Sequence, residues 1–151
     1  MDLSKCKTFI GLMPYDVGGS GDCFFRSVSH QLYGTPELHF EIRMAGIKHL
    51  NNHPEIYIES FSDSSWEDYI RLMSIPGTWC DNIIIQAVAN AHNCIVHITE
   101  SDVDKPHGTI ITPIVFMRED QIQYLLDILM SYTMFQPFHF KIVKIETNLH
   151  I

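Results

Sequence analysis

The sequence predicts an α+β domain in which helices come first and a small central β-sheet flanked by those helices is completed by later strands. Two observations lead to this prediction. Apolar residues recur at helical spacing between Cys23 and Ala91, and short apolar or alternating runs typical of strands follow Asn93. A length of 151 residues suits one hydrophobic core. Since no repeat, low-complexity segment or linker divides the chain, residues 1–151 are expected to form a single domain.

The first predicted helix begins at Cys23, directly after a glycine-rich loop that runs from Val17 to Asp22. Gly34 stands where a C-cap is expected, because glycine adopts the left-handed conformation at low cost. The apolar stripe of this helix consists of Phe24, Phe25, Val28 and Leu32. The sequence therefore places Cys23 in the first turn of a helix.

Three further helices are predicted from their start signals. Thr35 can cap the second helix and Pro36 fits its first position, with Leu38, Ile42, Ala45 and Leu50 on the buried face. The segment 64–67 has the form of a capping box before a short helix that reaches about Met73. The turn Pro76-Gly77 and a cap within 78–81 precede a fourth helix, which is expected to end at Asn93. Its stripe comprises Ile83, Ile84, Ala87, Val88 and Ala91.

The remaining elements are predicted strands, with one uncertain segment between them. Cys94 to Ile98 is typical of a buried strand, and Thr109 to Val115 is a second candidate in which Pro113 favours an edge or a bulge. The segment from Gln121 to Met130 is ambiguous, and its spacing favours a helix. A final strand is expected from Phe138 to Ile145, where apolar and polar residues mostly alternate.

Composition excludes several functional classes. The net charge of −8 argues against nucleic acid as a partner, because phosphate binding relies on clustered Lys and Arg. No apolar run approaches the roughly 20 residues that span a bilayer, and the N-terminal segment does not resemble a signal peptide, so no membrane partner is expected. Cys6, Cys23, Cys80 and Cys94 contain no CxxC pair and are expected to be free thiols in a reducing compartment. These features predict a cytoplasmic protein. They do not determine the oligomeric state, for which a monomer is favoured.

Cys23 is the candidate nucleophile. A thiol reacts as its thiolate, and the first-turn amides and dipole of the following helix favour negative charge on the sulfur. The glycines of the preceding loop allow successive N–H groups to converge on one point, as an oxyanion hole requires. The alternative is a small buried cysteine beside a tight turn, and the glycine-rich loop shifts the balance toward function.

A cysteine nucleophile needs a base, which is usually an imidazole. The chain has nine histidines, so composition does not select one. His139 lies between two aromatic residues in the last predicted strand, where a rigid element could hold the ring. His92 and His97 flank Cys94, but three ligands without a fourth make a weak metal site, so neither a metal nor another cofactor is expected.

The segment GGSGDCFFRSVS, residues 18–29, resembles the nucleophile motif of the ovarian tumour (OTU) domain cysteine proteases. That motif has a glycine-containing loop, then Asn or Asp, the cysteine, two bulky apolar residues and an arginine. The segments 31–34, Ile42-Arg43 and Gly77-Thr78-Trp79 are also similar to the family. His139-Phe140 matches the family's base, which is a histidine followed by an aromatic residue near the end of the domain.

This resemblance implies an α/β-type papain-like fold and the activity of a deubiquitinase, which hydrolyses isopeptide or peptide bonds after the C-terminal Gly-Gly of ubiquitin. Cys23 would attack the carbonyl, and His139 would accept the thiol proton and later protonate the leaving amine. The backbone amides of Gly21, Asp22 and Cys23 would stabilise the oxyanion. The implied partner is ubiquitin or polyubiquitin. Similar domains occur in eukaryotes, viruses and intracellular bacteria. The resemblance is therefore also compatible with a bacterial or viral effector, which would act in the host cytosol.

Two positions depart from the family pattern. Ser20 occupies the place of an Asp that many members carry three residues before the cysteine, and Lys141 that of an Asn or Asp two residues after the histidine. The group that orients His139 is therefore not assigned by the motif. Asp16 is the candidate acid, with Ser20 or a backbone carbonyl as alternatives.

Two other functions are compatible with the same residues. A ubiquitin-binding module with weak or no catalysis would explain the departures at Ser20 and Lys141. A cysteine protease acting on a ubiquitin-like modifier would retain the same site. The segment from Ile56 to Met73 is a candidate ubiquitin-binding surface because it carries Tyr57 and Trp66, although assigning these aromatic residues to the core is preferred.

Overall fold

The computed structural model of the protein describes residues 17–18, 21–61, 65–100, 107–114 and 140–147. Within these ranges it contains four α-helices, namely α1 (Cys23–Tyr33), α2 (His39–Asn52), α3 (Trp66–Met73) and α4 (Asn82–His92). Short 3-10 turns cover Pro36–Leu38, Pro54–Ile56 and Ile58–Ser60. Three strands follow, β1 (Cys94–Glu100), β2 (His107–Ile111) and β3 (Phe140–Thr147). The α+β class predicted from the sequence is confirmed.

The boundaries of α1 follow the local signals in the sequence. The helix begins at Cys23, and it ends at Gly34, which has a φ of 77° and donates its backbone N–H to the carbonyl of His30. Thr35 acts as a cap as predicted, since its side chain accepts a hydrogen bond from the N–H of Glu37. It caps the 3-10 turn, however, and the α-helical part of the second helix begins at His39.

Helix α4 has a cap at each end. The Asp81 carboxylate accepts hydrogen bonds from the N–H groups of Ile83 and Ile84, at 3.0 and 3.1 Å. Asn93 ends the helix in the left-handed conformation with a φ of 50°. Both ends agree with the prediction, because an Asp before an apolar stripe and an Asn after it are local signals that need no distant partner.

The three described strands form an antiparallel sheet in the order β2–β1–β3. Val96 in the central strand stands opposite Ile111 of β2 and Ile145 of β3. β2 ends at Ile111, four residues before the predicted end at Val115. The side chain of Gln86 donates to the carbonyl of Thr112, and the N–H of Ile114 donates to the side chain of Asn90. These bonds direct the chain toward α4 instead of extending the strand.

The last strand runs to Thr147, two residues beyond the predicted end. Residues 138 and 139 of that prediction lie outside the described residues. The helix predicted between Gln121 and Met130 also lies outside them.

The core forms where α2 packs against α4 and where β1 contributes its buried residues Cys94, Val96 and Ile98. Gly46 of α2 permits a close helix–helix contact, because a Cβ at this position would lie 2.8 Å from the Val88 side chain. Cys23, Cys80 and Cys94 are free thiols. In the part of the chain that the structure describes, no helix has the length and apolar character needed to cross a bilayer.

Candidate active site

Cys23 is the first residue of α1, and its side chain is partly exposed. Burial raises the pKa of its thiol, and the negative charge of Asp22 raises it further. Hydrogen bonds from the backbone N–H groups of Phe24 and of Cys23 itself act in the opposite direction but do not outweigh burial. The helix start thus provides the predicted amides, but they do not by themselves favour the thiolate at neutral pH. A base is needed to deprotonate this cysteine.

Asp22 is held by two donors. Its Oδ1 accepts a hydrogen bond from Nη2 of Arg43 at 2.7 Å and from the backbone N–H of Gly77 at 3.0 Å. Partial burial acts to raise the pKa of this carboxyl. The Gly77 amide, the hydrogen bond and charge of Arg43, and the nearby His39 together outweigh burial and keep the pKa below its usual value. Asp22 is therefore a carboxylate at neutral pH, beside the candidate nucleophile.

Arg43 of α2 is completely buried behind this loop. Its Nη1 donates to the carbonyl of Met73 at 2.8 Å, and its Nη2 lies 2.8 Å from the carbonyl of Thr78 and 3.4 Å from that of Gly21. The guanidinium also stacks 4.1 Å above the ring of Phe25. One side chain thereby joins the loop before Cys23, the end of α3 and the segment that follows the turn at Gly77.

Gly21 and Gly77 pack directly against each other. A Cβ on Gly21 would lie 1.8 Å from the carbonyl oxygen of Gly77, so no other residue fits at position 21 without displacing the turn. Gly77 itself has a φ of 84°, a conformation that favours glycine. The glycine predicted to supply an oxyanion amide is thus also required by packing.

The other end of the glycine-rich loop is held by Arg26. Its Nε donates to the carbonyl of Val17 at 2.7 Å, and its Nη2 forms an ion pair at 3.4 Å with Glu37. The arginine of the nucleophile motif therefore anchors the loop from the helix that the loop precedes. Gly19 and Ser20, which lie between these anchors, are outside the described residues.

The structure leaves two predicted site residues without a described position. His139 and Asp16 both lie outside the described ranges, so their roles stay predictions. The strand β3 begins at Phe140, directly after His139 in sequence. This strand packs against α1, where Oε1 of Gln31 accepts a hydrogen bond from the N–H of Ile145 at 2.6 Å. The helix that begins at Cys23 is thus joined to the strand that follows His139.

The aromatic residues of the candidate ubiquitin-binding segment belong to the core. Tyr57 is fully buried, and its hydroxyl accepts a hydrogen bond from Asn90 and contacts Nδ1 of His49. Trp66 is partly buried and stacks on Tyr69. By contrast, the side chain of Trp79 is 46% exposed, two residues after the turn at Gly77. The preferred assignment of Tyr57 and Trp66 to the core is confirmed.

Sequence reasoning missed the roles of Arg43 and Gly77. Arg43 was noted only as part of a family-like segment, yet it lies four and seven residues before Ile47 and Leu50, both of which are buried. Helical periodicity could therefore have placed it on the inward face of α2. A buried arginine needs several acceptors, and this requirement would have indicated a polar contact inside the domain.

Comparisons with known proteins agree with the resemblance. A family model described as "OTU-like cysteine protease" matches residues 18–132. The "OVARIAN TUMOR DOMAIN-containing deubiquitinating enzyme 10" of Arabidopsis thaliana is 34% identical over 85 residues, covering 56% of this chain and 24% of that protein. Enzyme 9 of the same series and plant is 38% identical over 80 residues, covering 53% and 23%. The chain thus spans about a quarter of the length of these two relatives.

A solved structure shows the same fold. The crystal structure of the viral OTU domain protease from Dera Ghazi Khan virus matches with a TM-score of 0.58 and 22% sequence identity. The match covers 67% of this chain and 67% of that chain. At this level of identity, the likeness establishes the architecture of helices and sheet described above.

Proposed function

This chain belongs to the family of OTU-like cysteine proteases, and from this membership we propose that it is a cysteine-dependent deubiquitinase. Its substrates are isopeptide or peptide bonds that follow the C-terminal Gly-Gly of ubiquitin. The setting of Cys23 carries the proposal: a partly exposed thiol at a helix start, in contact with two backbone amides and preceded by an anchored glycine-rich loop. The similarity to plant proteins named as deubiquitinating enzymes supports the substrate class.

The proposed mechanism uses residues of this chain alone. His139 takes the proton from the thiol of Cys23, and the sulfur attacks the carbonyl carbon of the ubiquitin C-terminal glycine. The backbone N–H groups of Gly21, Asp22 and Cys23 stabilise the oxyanion. When the C–N bond breaks, His139 returns the proton to the leaving amine. Water, activated by the same imidazole, then hydrolyses the thioester and restores the thiol.

Covalent labelling tests the reaction directly. A ubiquitin probe with an electrophile at its C-terminus is expected to label the wild type, and the Cys23→Ala variant is expected to remain unlabelled. Cys94→Ala is the matched control, since Cys94 is a buried free thiol in β1. A folded wild type that remains unlabelled would contradict the proposal. So would labelling that persists in Cys23→Ala.

We also propose Asp16 as the acid that orients His139, by analogy with the third member of a catalytic triad. Asp16→Asn is then expected to lower kcat by about 10-fold or more while leaving KM similar, because the acid acts on the tautomer and charge of the base. Asp68→Asn serves as the control, because Asp68 is an exposed residue of α3 that pairs with Arg71. Unchanged kcat in Asp16→Asn would transfer the role to Ser20 or to a backbone carbonyl.

A ubiquitin-binding module with little or no catalysis is the second candidate. The raised pKa of the Cys23 thiol, together with Ser20 and Lys141 in place of the usual acids, favours it. This alternative predicts that ubiquitin binds but that neither cleavage nor labelling occurs. Isothermal titration with ubiquitin, run beside the labelling experiment, separates the two candidates.

A panel of fluorogenic substrates built on ubiquitin and on ubiquitin-like modifiers tests the choice of substrate. Preferential turnover of the ubiquitin substrate is expected, and preference for another modifier would replace ubiquitin in the proposal.

The cytoplasmic location and the single-domain organisation of residues 1–151 belong to the same proposal. Cell fractionation and limited proteolysis test them.

A further inference from the structure

Arg43 is the only charged side chain among the fully buried residues of the described chain. Its ion-pair partner Asp22 retains 19% exposure of its side chain, whereas Arg43 has none. Burying a guanidinium in this way is costly unless its donors are satisfied. The acceptors for its Nη1 and Nη2 groups come from the nucleophile loop, from the end of α3 and from Thr78. Its buried Nε has no hydrogen-bond partner among the described residues.

We propose that Arg43 is a positioning residue of the nucleophile site, which holds the Gly21–Asp22 segment in place and neutralises the Asp22 carboxylate beside the sulfur of Cys23. The effect on turnover rests on the function proposed above. The effect on the thiol is a property of the folded protein and does not depend on the substrate.

The positioning role follows from the geometry of the guanidinium. Nη2 reaches the Asp22 carboxylate, the Thr78 carbonyl and, at 3.4 Å, the Gly21 carbonyl. These contacts fix the carbonyl and side chain of the residues whose amides are proposed to form the oxyanion hole. A lysine has the same charge, but its donors all lie on one nitrogen, so it cannot reach both the Met73 carbonyl at the Nη1 position and the acceptors at the Nη2 position.

The electrostatic role follows from the groups that surround the sulfur. Asp22, on the loop, acts to raise the pKa of the Cys23 thiol. Burial raises the pKa of the Cys80 thiol, in the segment after Gly77; a charge on Cys23 raises it further, and Arg43 acts in the opposite direction. His39, at the start of α2, acts on Asp22. Among these described groups, Arg43 is the partner that offsets the carboxylate through a direct ion pair at 2.7 Å.

Alkylation of Cys23 by iodoacetamide as a function of pH tests the electrostatic role. The full chain is used in a His139→Ala background so that the proposed base does not contribute to the titration, and mass spectrometry of the Cys23 peptide separates it from the other cysteines. Arg43→Gln is expected to move the alkylation midpoint to higher pH, because Asp22 loses its counter-charge. Asp22→Asn is expected to move it to lower pH, and the double variant should resemble Asp22→Asn.

Steady-state kinetics with a ubiquitin substrate, in the His139 wild type, test the positioning role. Arg43→Lys is expected to lower kcat by about 10-fold or more while changing KM less than about threefold, because displaced amides weaken binding of the transition state more than of the substrate. Its alkylation midpoint, measured in the His139→Ala background, is expected to remain near that of the parent. Arg71→Gln is the control, because Arg71 is an exposed residue of α3 that pairs with Asp68.

Each role has its own contradicting result. An alkylation midpoint that is unchanged in Asp22→Asn overturns the electrostatic role, and wild-type kcat in Arg43→Lys overturns the positioning role. If circular dichroism shows that Arg43→Gln does not fold, Asp22→Asn still tests the electrostatic role and Arg43→Lys still tests the positioning role. A wild type that cleaves no ubiquitin substrate while the midpoints shift as expected contradicts the proposed function and leaves the electrostatic role supported.

Discussion

Gly21 lies against the turn at Gly77 so closely that a Cβ on Gly21 would be 1.8 Å from the Gly77 carbonyl oxygen. The same turn donates its Gly77 N–H to Asp22, the next residue in the nucleophile loop. The loop and the turn therefore form one packed unit in front of α1. Any change that separates them moves the residue before the candidate nucleophile.

Gly21→Ala is expected to destabilise the protein and to slow labelling by a ubiquitin probe. The new methyl group must push the Gly77 carbonyl away, and overpacking of this kind costs about 1–3 kcal/mol. Denaturant unfolding and the labelling rate measure the two effects. Gly108→Ala in β2 is the control, because a Cβ there meets no atom within 4 Å. Equal stability of the two variants would contradict the close contact.

His139→Ala is expected to change the pH dependence of the reaction. Burial and Asp22 raise the pKa of the Cys23 thiol above its ordinary value of 9.0. Only a small fraction of this thiol is therefore deprotonated at pH 7 without a base. Labelling by the ubiquitin probe should fall by about 100-fold or more at pH 7, consistent with the usual contribution of a general base. The remaining rate should rise through pH 9, because the thiolate fraction increases with pH.

Rates measured between pH 6 and pH 10 test this expectation, with His53→Ala as the control since His53 is a half-exposed residue beyond α2. A His139→Ala variant that reacts like the wild type at pH 7 would remove His139 from the mechanism.

Gln31→Ala is expected to loosen β3 from α1. It removes the acceptor for the Ile145 N–H, which is bound at 2.6 Å, and loss of one such hydrogen bond costs about 1 kcal/mol. Hydrogen exchange at the Ile145 amide should accelerate, and labelling should slow if His139 depends on the position of this strand. Gln31→Glu keeps an acceptor oxygen, so its Ile145 amide should exchange more slowly than the same amide in Gln31→Ala. Equal exchange in the wild type and Gln31→Ala would contradict this role.

Stability is expected to decrease as the pH falls below about 6.5, the ordinary pKa of histidine. Burial lowers the pKa of His49, with a further contribution from His53 and an opposing one from Glu55, and burial also lowers that of His92. The unfolded chain then binds more protons than the folded chain in this range, so the free energy of unfolding decreases on acidification. Nδ1 of His49 lies 3.1 Å from the Tyr57 hydroxyl, and a protonated His49 can only donate to that hydroxyl.

Urea unfolding at pH 7.5, 6.5 and 5.5 measures this effect. His49→Asn retains an acceptor for Tyr57 but does not titrate, so it should show a smaller decrease between pH 6.5 and 5.5. A wild-type free energy of unfolding that is constant or increases on acidification over this interval would contradict the lowered pKa values of His49 and His92.

The beginnings and ends of α1 and α4 could be predicted because their signals are local. Gly34 and Asn93 end helices through their own backbone preference, and Asp81 caps N–H groups only two and three residues later. The place of Cys23 at a helix start follows from the same kind of local pattern. The strands were also detected, since alternation and apolar runs are properties of short segments.

The end of β2 was predicted wrongly because it depends on a distant helix. Val115 was expected to close the strand, but Gln86 and Asn90 bind the backbone at Thr112 and Ile114 and end the ladder at Ile111. The order β2–β1–β3 likewise requires knowledge of which strands pair. The end of β2 and the order of the strands both depend on residues far away in the sequence, so the strand segments alone do not reveal them.

By itself, the sequence determined the helices, the class of the fold and the candidate nucleophile, because each depends on residues that are close together in the chain. The tertiary structure decided that Arg43 supports the nucleophile loop and that position 21 must be glycine. Arg43 meets Asp22 across 21 residues and Met73 across 30, and Gly77 meets Asp22 across 55. Folding brings such groups into contact by burying the apolar faces around them, and only then do their charges and volumes constrain one another.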